Sequence, residues 1–332
     1  MTRALAQAGV HRFGVATVEE GLELREAGIG HPLVVLGTLL PAEMPALVAH
    51  RLTPVIHDLK MARVFATQVP PAARPYPIHV KIDTGMGRLG LDPDQLPVLL
   101  DLEDLDRVLT LEGLMTHLAD ADSTDPTYTH QQLERFHAAL GHVAASGRKP
   151  PLIHMANSAG IIMHPESHFS LVRPGIMLYG YHTLPHSRVG LDLRPVLTWQ
   201  TSIALIRPIP RGGCVGYNRT FTATRASRIA VLPVGYADGY NRRLSNRGMV
   251  LIGGRRMPVV GRVSMDMTMV DVTDLPDARS GDPVVLLGTQ GSAAITAGDI
   301  AGSLDTIPYE VLCSIGPRVP RLYSNTSEAS PQ

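Results

Sequence analysis

The residues best equipped for chemistry fall in one stretch, His79-Val80-Lys81-Ile82-Asp83-Thr84-Gly85-Met86-Gly87-Arg88-Leu89-Gly90. At the two-residue period of a strand, His79, Lys81 and Asp83 share one face, and Ile78, Val80 and Ile82 share the other. Three ionisable side chains on one strand face are costly to bury unless they are paired or engaged with a ligand. Gly85 and Gly87 permit a tight turn that carries Arg88 past the strand end. Polar groups recur at equivalent places: His117 closes Met115-Thr116-His117, Asn157-Ser158 follow Ile153-His154-Met155, and Arg173 precedes Pro174-Gly175. Each has an ordinary structural explanation alone, His117 as a satisfied buried ring and Ser158 as a helix cap. Collected at one rim, they mark a site.

The elements that would position these groups alternate. The first residues read as a helix stopped at Gly9. Strands are expected at His11–Thr17 (with Phe13-Gly14-Val15-Ala16 at its centre), Leu33–Gly37, Thr53–His57, Ile78–Asp83, Leu111–His117, Leu152–Met155 and Leu171–Arg173. Helices follow at Thr17 onward, where Thr17-Val18-Glu19-Glu20 has the form of a capping box with Leu22, Leu24 and Ala27 as the apolar stripe. The others lie near Pro41–Arg51, Asp58–Gln68, Pro93–Leu102, Thr127–Ser146 and Ser158–Met163. Strands alternating with helices mean a parallel α/β sheet. The glycine fingerprint of a dinucleotide fold is missing after the first strand, so the expected architecture is a (β/α)8 barrel lacking its first strand. The seven strands would then be strands two to eight. Ser158 and Gly175-Ile176 would occupy the loops after strands seven and eight, where barrels bind phosphate.

After about Pro195 the pattern becomes mostly β. Strands are expected at Val196–Pro208, Arg228–Val234, Met249–Ile252, Pro258–Val263, Met267–Val272 and Pro283–Leu287, interrupted by one helix at Thr296–Leu304. The expected domains are 1–195, 196–323 and a disordered polar tail over 324–332. With 30 basic and 30 acidic residues the net charge is zero, which argues against a nucleic-acid partner. Cys214 and Cys313 lack metal-ligand spacing and imply no metal or disulfide framework. No run has the length of a membrane span or the core of a signal peptide, and a cytoplasmic setting is expected.

Six segments together carry a family resemblance. They are Lys81–Arg88, His154-Met155-Ala156-Asn157-Ser158, Val172-Arg173-Pro174-Gly175, Val234–Tyr240, Gly261–Asp266 and Ile307-Pro308-Tyr309-Glu310. In order and spacing, from the first residues to about Tyr323, the chain resembles the pyridoxal-phosphate-dependent alanine racemases. The resemblance implies a barrel followed by a C-terminal β domain, assembled as a head-to-tail homodimer with shared active sites. It also implies interconversion of L- and D-alanine by two bases, with D-alanine serving peptidoglycan.

Carried over residue by residue, the resemblance implies that Tyr217 takes the α-proton of L-alanine in the partner subunit's barrel. A phenol ordinarily titrates at about pH 10 and needs help to act as a base, and His117 matches the residue that helps. Arg88 would bind the substrate carboxylate, with Lys81, carbamylated in many members, beside it. Met265 would contact substrate through its backbone amide. Arg173 would face the cofactor's pyridine nitrogen, while Ser158, Gly175, Ile176 and Tyr309 hold its phosphate. Asp122, Tyr236, Arg242, Arg262 and Ile307 resemble the substrate entryway.

One feature departs from the pattern. The family carries the lysine that bonds its cofactor, which is also the base for D-alanine, in a Val-Lys-Ala-x-x-Tyr-Gly-His-Gly segment on the first barrel strand. No such segment is present, and the three lysines are Lys60, Lys81 and Lys149. The departure implies a racemase read from an internal methionine. The alternatives are an inactive truncated paralogue that binds pyridoxal phosphate or partners a complete subunit, or a racemase for another small amino acid such as serine.

Overall fold

The structure, a computed structural model, describes residues 1–184 and 191–323; the expected disordered tail over 324–332 lies outside them. They divide into two units, Met1–Gly175 with Leu184, and Ile176–Thr183 with 191–323. The chain first joins the second unit at Ile176, because Ile176 and Tyr181 are buried in that unit's core.

In the first unit, strands β1 (Phe13–Val15), β2 (Leu33–Val35), β3 (Leu52–Ile56), β4 (Tyr76–Lys81), β5 (Leu109–Met115) and β6 (Leu152–His154) form one barrel-like parallel sheet in chain order. Between and around them run α1 (Thr2–Gln7), α2 (Val18–Glu26), α3 (Met44–Ala49), α4 (Leu59–Gln68), α5 (Leu96–Leu100), α6 (Thr127–Ala145) and α7 (Ser158–Met163). The seventh expected strand reduces to a single parallel bridge between Leu171 and His154. The Arg173 N–H bonds the Ala156 carbonyl, and Pro174 has no N–H to extend a ladder. Leu33, Leu52, Ile56, Ile78, Val80, Ile82 and Leu114 are fully buried, as strands covered on both faces require. Each such side chain contributes roughly 1.5–3 kcal/mol relative to exposure.

Local chemistry sets the helix starts. Thr17 accepts the Glu20 N–H, and Asp58 accepts the Met61 N–H at 2.7 Å. The expected capping box closes one residue early, because the Glu20 carboxylate takes the Ala16 N–H rather than that of Thr17. The buried face of α2 is Val18 and Gly21, while Ala27 is exposed. A Cβ on Gly21 would lie 2.8 Å from Leu52 Cδ1, so the missing side chain is what lets α2 approach β3.

The second unit holds β7 (Trp199–Ser202), β8 (Leu205–Ile209), β9 (Cys214–Val215), β10 (Phe221–Thr222), β11 (Ser227–Leu232), β12 (Met249–Ile252), β13 (Arg255–Pro258), β14 (Thr268–Asp271), β15 (Pro283–Gln290) and β16 (Ala293–Ile295). The expected strand Val196–Pro208 is two strands with different partners, β7 on β15 and β8 on β11. The expected strand Pro258–Val263 is displaced: β13 ends at Pro258, and Gly261 turns at φ +74°. Among the described residues two α-helices interrupt this unit rather than one, α8 (Ala297–Leu304) and α9 (Pro308–Ser314). No helix among the described residues is long and apolar enough to cross a membrane.

Candidate active site

At the carboxyl end of β4 the chain turns through Asp83–Gly87. Asp83 Oδ1 accepts the N–H groups of Gly85 at 2.9 Å and Met86 at 2.8 Å, and Oδ2 accepts that of Gly87 at 2.9 Å. Burial raises the affinity of this carboxyl for a proton. The Gly85, Gly87 and Met86 amides and Lys81 outweigh it and hold the group below the usual carboxylate range. Asp83 is therefore the turn's own anion. Gly85 sits at φ +135°, where a Cβ would come 2.5 Å from the Tyr128 hydroxyl that donates to its carbonyl. Arg88 emerges exposed from this turn and makes no hydrogen bond or ion pair among the described residues. Lys81 is buried. Burial, followed by Arg88 and Arg173, pushes its amine down to about 8.

Arg173 organises the rest of this rim. Its Nη1 donates to His154 Nδ1 at 2.8 Å; its Nη2 faces the Thr116 carbonyl at 2.7 Å, the Met155 carbonyl at 3.0 Å and His117 Nδ1 at 3.2 Å. Arginine only donates, so both histidine Nδ1 atoms must accept, and both rings carry their proton on Nε2. His154 Nε2–H then donates to His79 Nδ1 at 2.8 Å, and His79 Nε2–H donates to Glu112 Oε2 at 3.2 Å. Arg12 grips Glu112 at 3.0 and 2.9 Å and closes the chain. One donor-only residue thus fixes three tautomers.

Burial, then the Arg173 charge, pushes the His117 ring down to about 3, so it is neutral, with an Nε2–H that has no partner among the described residues. His154 and His79 are also lowered, chiefly by burial. Arg173 itself is pushed down to about 10 by burial and stays protonated at pH 7. Its Nε–H and second Nη1–H have no partner among the described residues.

Asn157, not Ser158, caps α7: its Oδ1 accepts the Gly160 N–H at 2.9 Å. Ser158 Oγ is thereby available to the Gly175 N–H, which donates to it at 2.9 Å. A Cβ on Gly175 would meet nothing closer than that oxygen, at 3.9 Å, so the space beside this exposed glycine is open. The chain's first unit thus brings together Lys81, Arg88, His117 and Arg173 electrostatically, and Ser158 with Gly175 by a hydrogen bond. Asp122 lies exposed in the loop before α6.

The remaining candidates belong to the second unit. Tyr217 is 69% exposed, on a turn where Gly216, Asn218 and Arg219 all have positive φ, at 73°, 59° and 52°. Two non-glycine residues in the left-handed region next to a presented tyrosine are a costly arrangement of the kind that accompanies function. The turn backs onto Arg262, whose amide a Cβ on Gly216 would meet at 3.1 Å. The Arg262 Nε is buried with no hydrogen-bond partner among the described residues. Met265 is 53% exposed and its N–H has no partner among the described residues, whereas its carbonyl accepts the Ala237 N–H. Tyr236 and Arg242 line a recess of ≈ 420 Å³ with Gly239, Asn241 and Ser314. Ile307 and Tyr309 sit at the start of α9, both exposed, and Ile176 is buried in this unit's core.

Sequence reasoning placed His79 on the polar strand face but assigned no role to His79, His154, Glu112 or Arg12. The available signal was His154 inside the quoted His154–Ser158 motif. Nothing local pairs Arg12 with Glu112, which are far apart in the chain.

Comparison with known proteins gives a consistent result. The family description "Alanine racemase, N-terminal domain" matches residues 1–183 and "Alanine racemase, C-terminal domain" matches residues 196–323. An alanine racemase of Symbiobacterium thermophilum is 46% identical over 321 residues, 96% of this chain and 85% of that protein. The crystal structure of alanine racemase from D-cycloserine-producing Streptomyces lavendulae superposes with a TM-score of 0.92 at 33% identity, covering 98% of this chain and 86% of that one. The Bartonella henselae alanine racemase, solved with covalently bound pyridoxal phosphate, gives 0.86 at 31% identity over 97% and 88%.

Proposed function

The chain belongs to the alanine racemase family, and on that premise we propose how its residues serve the interconversion of L- and D-alanine. The observation that carries the proposal is Arg173, a half-buried donor that is protonated at pH 7, with two N–H groups unpartnered among the described residues, at the carboxyl end of a parallel sheet. Its complement is a ring nitrogen that only accepts, as in the pyridine of pyridoxal phosphate. Bound there, that cofactor withdraws electrons from the substrate and makes its α-hydrogen acidic. A donor that does not give up its proton keeps this withdrawal modest, which suits a reaction that must return the proton to the same carbon. Ser158, Gly175, Ile176 and Tyr309 would hold the phosphate. The family's cofactor-bonding lysine segment is not among these 332 residues, and Lys60 and Lys149 are exposed on the helical side of the fold. The residues present therefore fit the non-covalent grip on the cofactor, and the roles assigned here are confined to that grip.

Tyr217 takes the α-proton of L-alanine, reaching the barrel of a second copy in a head-to-tail homodimer. His117 is neutral and holds its proton on Nε2, so it can donate to the phenolate oxygen and ease loss of the phenol proton. Arg88 binds the substrate carboxylate as a forked donor. Lys81, with an amine near 8, is partly neutral at physiological pH and can add carbon dioxide with loss of a proton. The resulting carbamate anion would pair with Arg88. The Met265 N–H completes the substrate contacts, and Asp122, Tyr236, Arg242, Arg262 and Ile307 line the way in. The product D-alanine supplies peptidoglycan in the cytoplasm.

The test joins the family's lysine segment ahead of residue 1, adds pyridoxal phosphate and follows α-hydrogen exchange in deuterated water. In Tyr217→Phe, exchange from L-alanine falls by about a hundredfold or more, the scale of a lost general base, while exchange from D-alanine persists. Unchanged exchange from L-alanine removes Tyr217 from the role assigned here.

A further inference from the structure

A second cluster of ligating side chains shares no residue with the candidate active site. His130 lies in the first turn of α6, His164 caps the end of α7, and Glu166 follows in the 3-10 turn Pro165–Ser167. His164 Nδ1 is 3.2 Å from Glu166 Oε1, and His130 Nε2 is 3.7 Å from the same oxygen. Ligand atoms of all three residues lie within 4.8 Å of one another. His164 is buried and held by its backbone, which donates to the Gly160 carbonyl and accepts from Ser167. Its Nε2 has no hydrogen-bond partner among the described residues, so the contact with Glu166 is the ring's one polar engagement there. The side chains of His130 and Glu166 are 55% and 42% exposed.

Metal–nitrogen bonds of about 2.0–2.1 Å and metal–oxygen bonds of about 2.0–2.2 Å place the corners of a tetrahedral site about 3.4 Å apart. Two of the observed edges, 3.2 and 3.7 Å, lie close to that length, and the third is no longer than 4.8 Å. Two imidazoles and one carboxylate are the donor set of borderline transition cations, whereas calcium and magnesium take oxygen. We propose that His130, His164 and Glu166 bind one divalent cation of the zinc class, with the fourth position open to water, and that the ion clamps the first turn of α6 to the end of α7. The N-terminal residue of α7 is Ser158. The clamp would therefore brace the helix that presents this serine, and the proposal holds whether or not the chain racemises alanine.

The test is calorimetric titration of the metal-free full chain with Zn²⁺, followed by Co²⁺ substitution. One Zn²⁺ binds per chain, Co²⁺ develops the intense visible absorption of a four-coordinate site, and saturating Zn²⁺ raises the melting temperature. His130→Ala and Glu166→Gln, both at exposed positions that leave folding undisturbed, each weaken binding by at least about tenfold and abolish the thermal shift. His142→Ala, at the other end of α6, changes neither. Absence of stoichiometric binding, or equal affinity in the parent and both variants, overturns the proposal.

Discussion

Arg173 sets where three histidine rings carry their protons. Because it has only donors, His117 and His154 are fixed as Nε2–H tautomers, and the order passes through His79 to Glu112. Lysine would keep the charge but cannot reach four acceptors with one ammonium. Arg173→Lys is expected to lower unfolding stability by about 2–3 kcal/mol through buried acceptors left unpaired, as read from urea midpoints; an unchanged midpoint would contradict this. The neutral His117 makes a second prediction. Its native value of about 3 lies below the ordinary 6.5, so between those values the unfolded chain binds a proton that the native ring excludes. Stability therefore falls as pH drops from about 6.5 towards 3, by about 1.4 kcal/mol per pH unit for this ring. His79 and His154 act in the same direction. Urea melts at pH 7 and pH 5 should show a loss of at least about 2 kcal/mol, reduced in His117→Gln; a gain on acidification has no place in this scheme. At this scale the sequence was legible in types and opaque in partners. It located Asp83, Ser158 and Arg173, yet Asp83 serves its own turn and the cap belongs to Asn157, because such choices depend on which amide a side chain faces.

Between elements, β4 and β5 are linked by a register irregularity between Ile78 and His79, which aims the His79 ring at Gly113. A Cβ on Gly113 would lie 2.6 Å from His79 Nδ1, the atom that accepts from His154. Gly113→Ala is expected to cost about 1–3 kcal/mol by overpacking and to disturb the histidine chain. Gly141, inside α6 with nothing near its missing Cβ, should do the reverse, with Gly141→Ala raising stability by about 0.5–1 kcal/mol. Thermal melts of the two variants give the comparison, and shifts of the same sign would refute the packing argument. The alternation of β4 and the apolar run of β3 made these strands readable. The strands β9, β10, β13 and β16 were not, being only two to four residues long. The bulge has no sequence signature because two strands create it jointly.

The whole molecule separates the proposed roles between its units: Lys81, Arg88, His117 and Arg173 in the first, Tyr217 and Met265 in the second. The order of parallel strands and the change to β texture were both legible, since each repeats over many residues. The proposed assembly rests on the resemblance alone, because Tyr217 and Met265 are exposed in a single chain and nothing in that chain says what they face. In a head-to-tail homodimer each site takes its barrel from one copy and its tyrosine from the other. The decisive measurement mixes two inactive variants that both carry the family's lysine segment, Arg88→Ala and Tyr217→Phe, refolds them together and assays alanine racemisation. Random pairing makes about half the dimers mixed, each with one intact site of two, so the account predicts about a quarter of the parent activity. If the mixture stays as inactive as its components, the shared site proposed here is wrong.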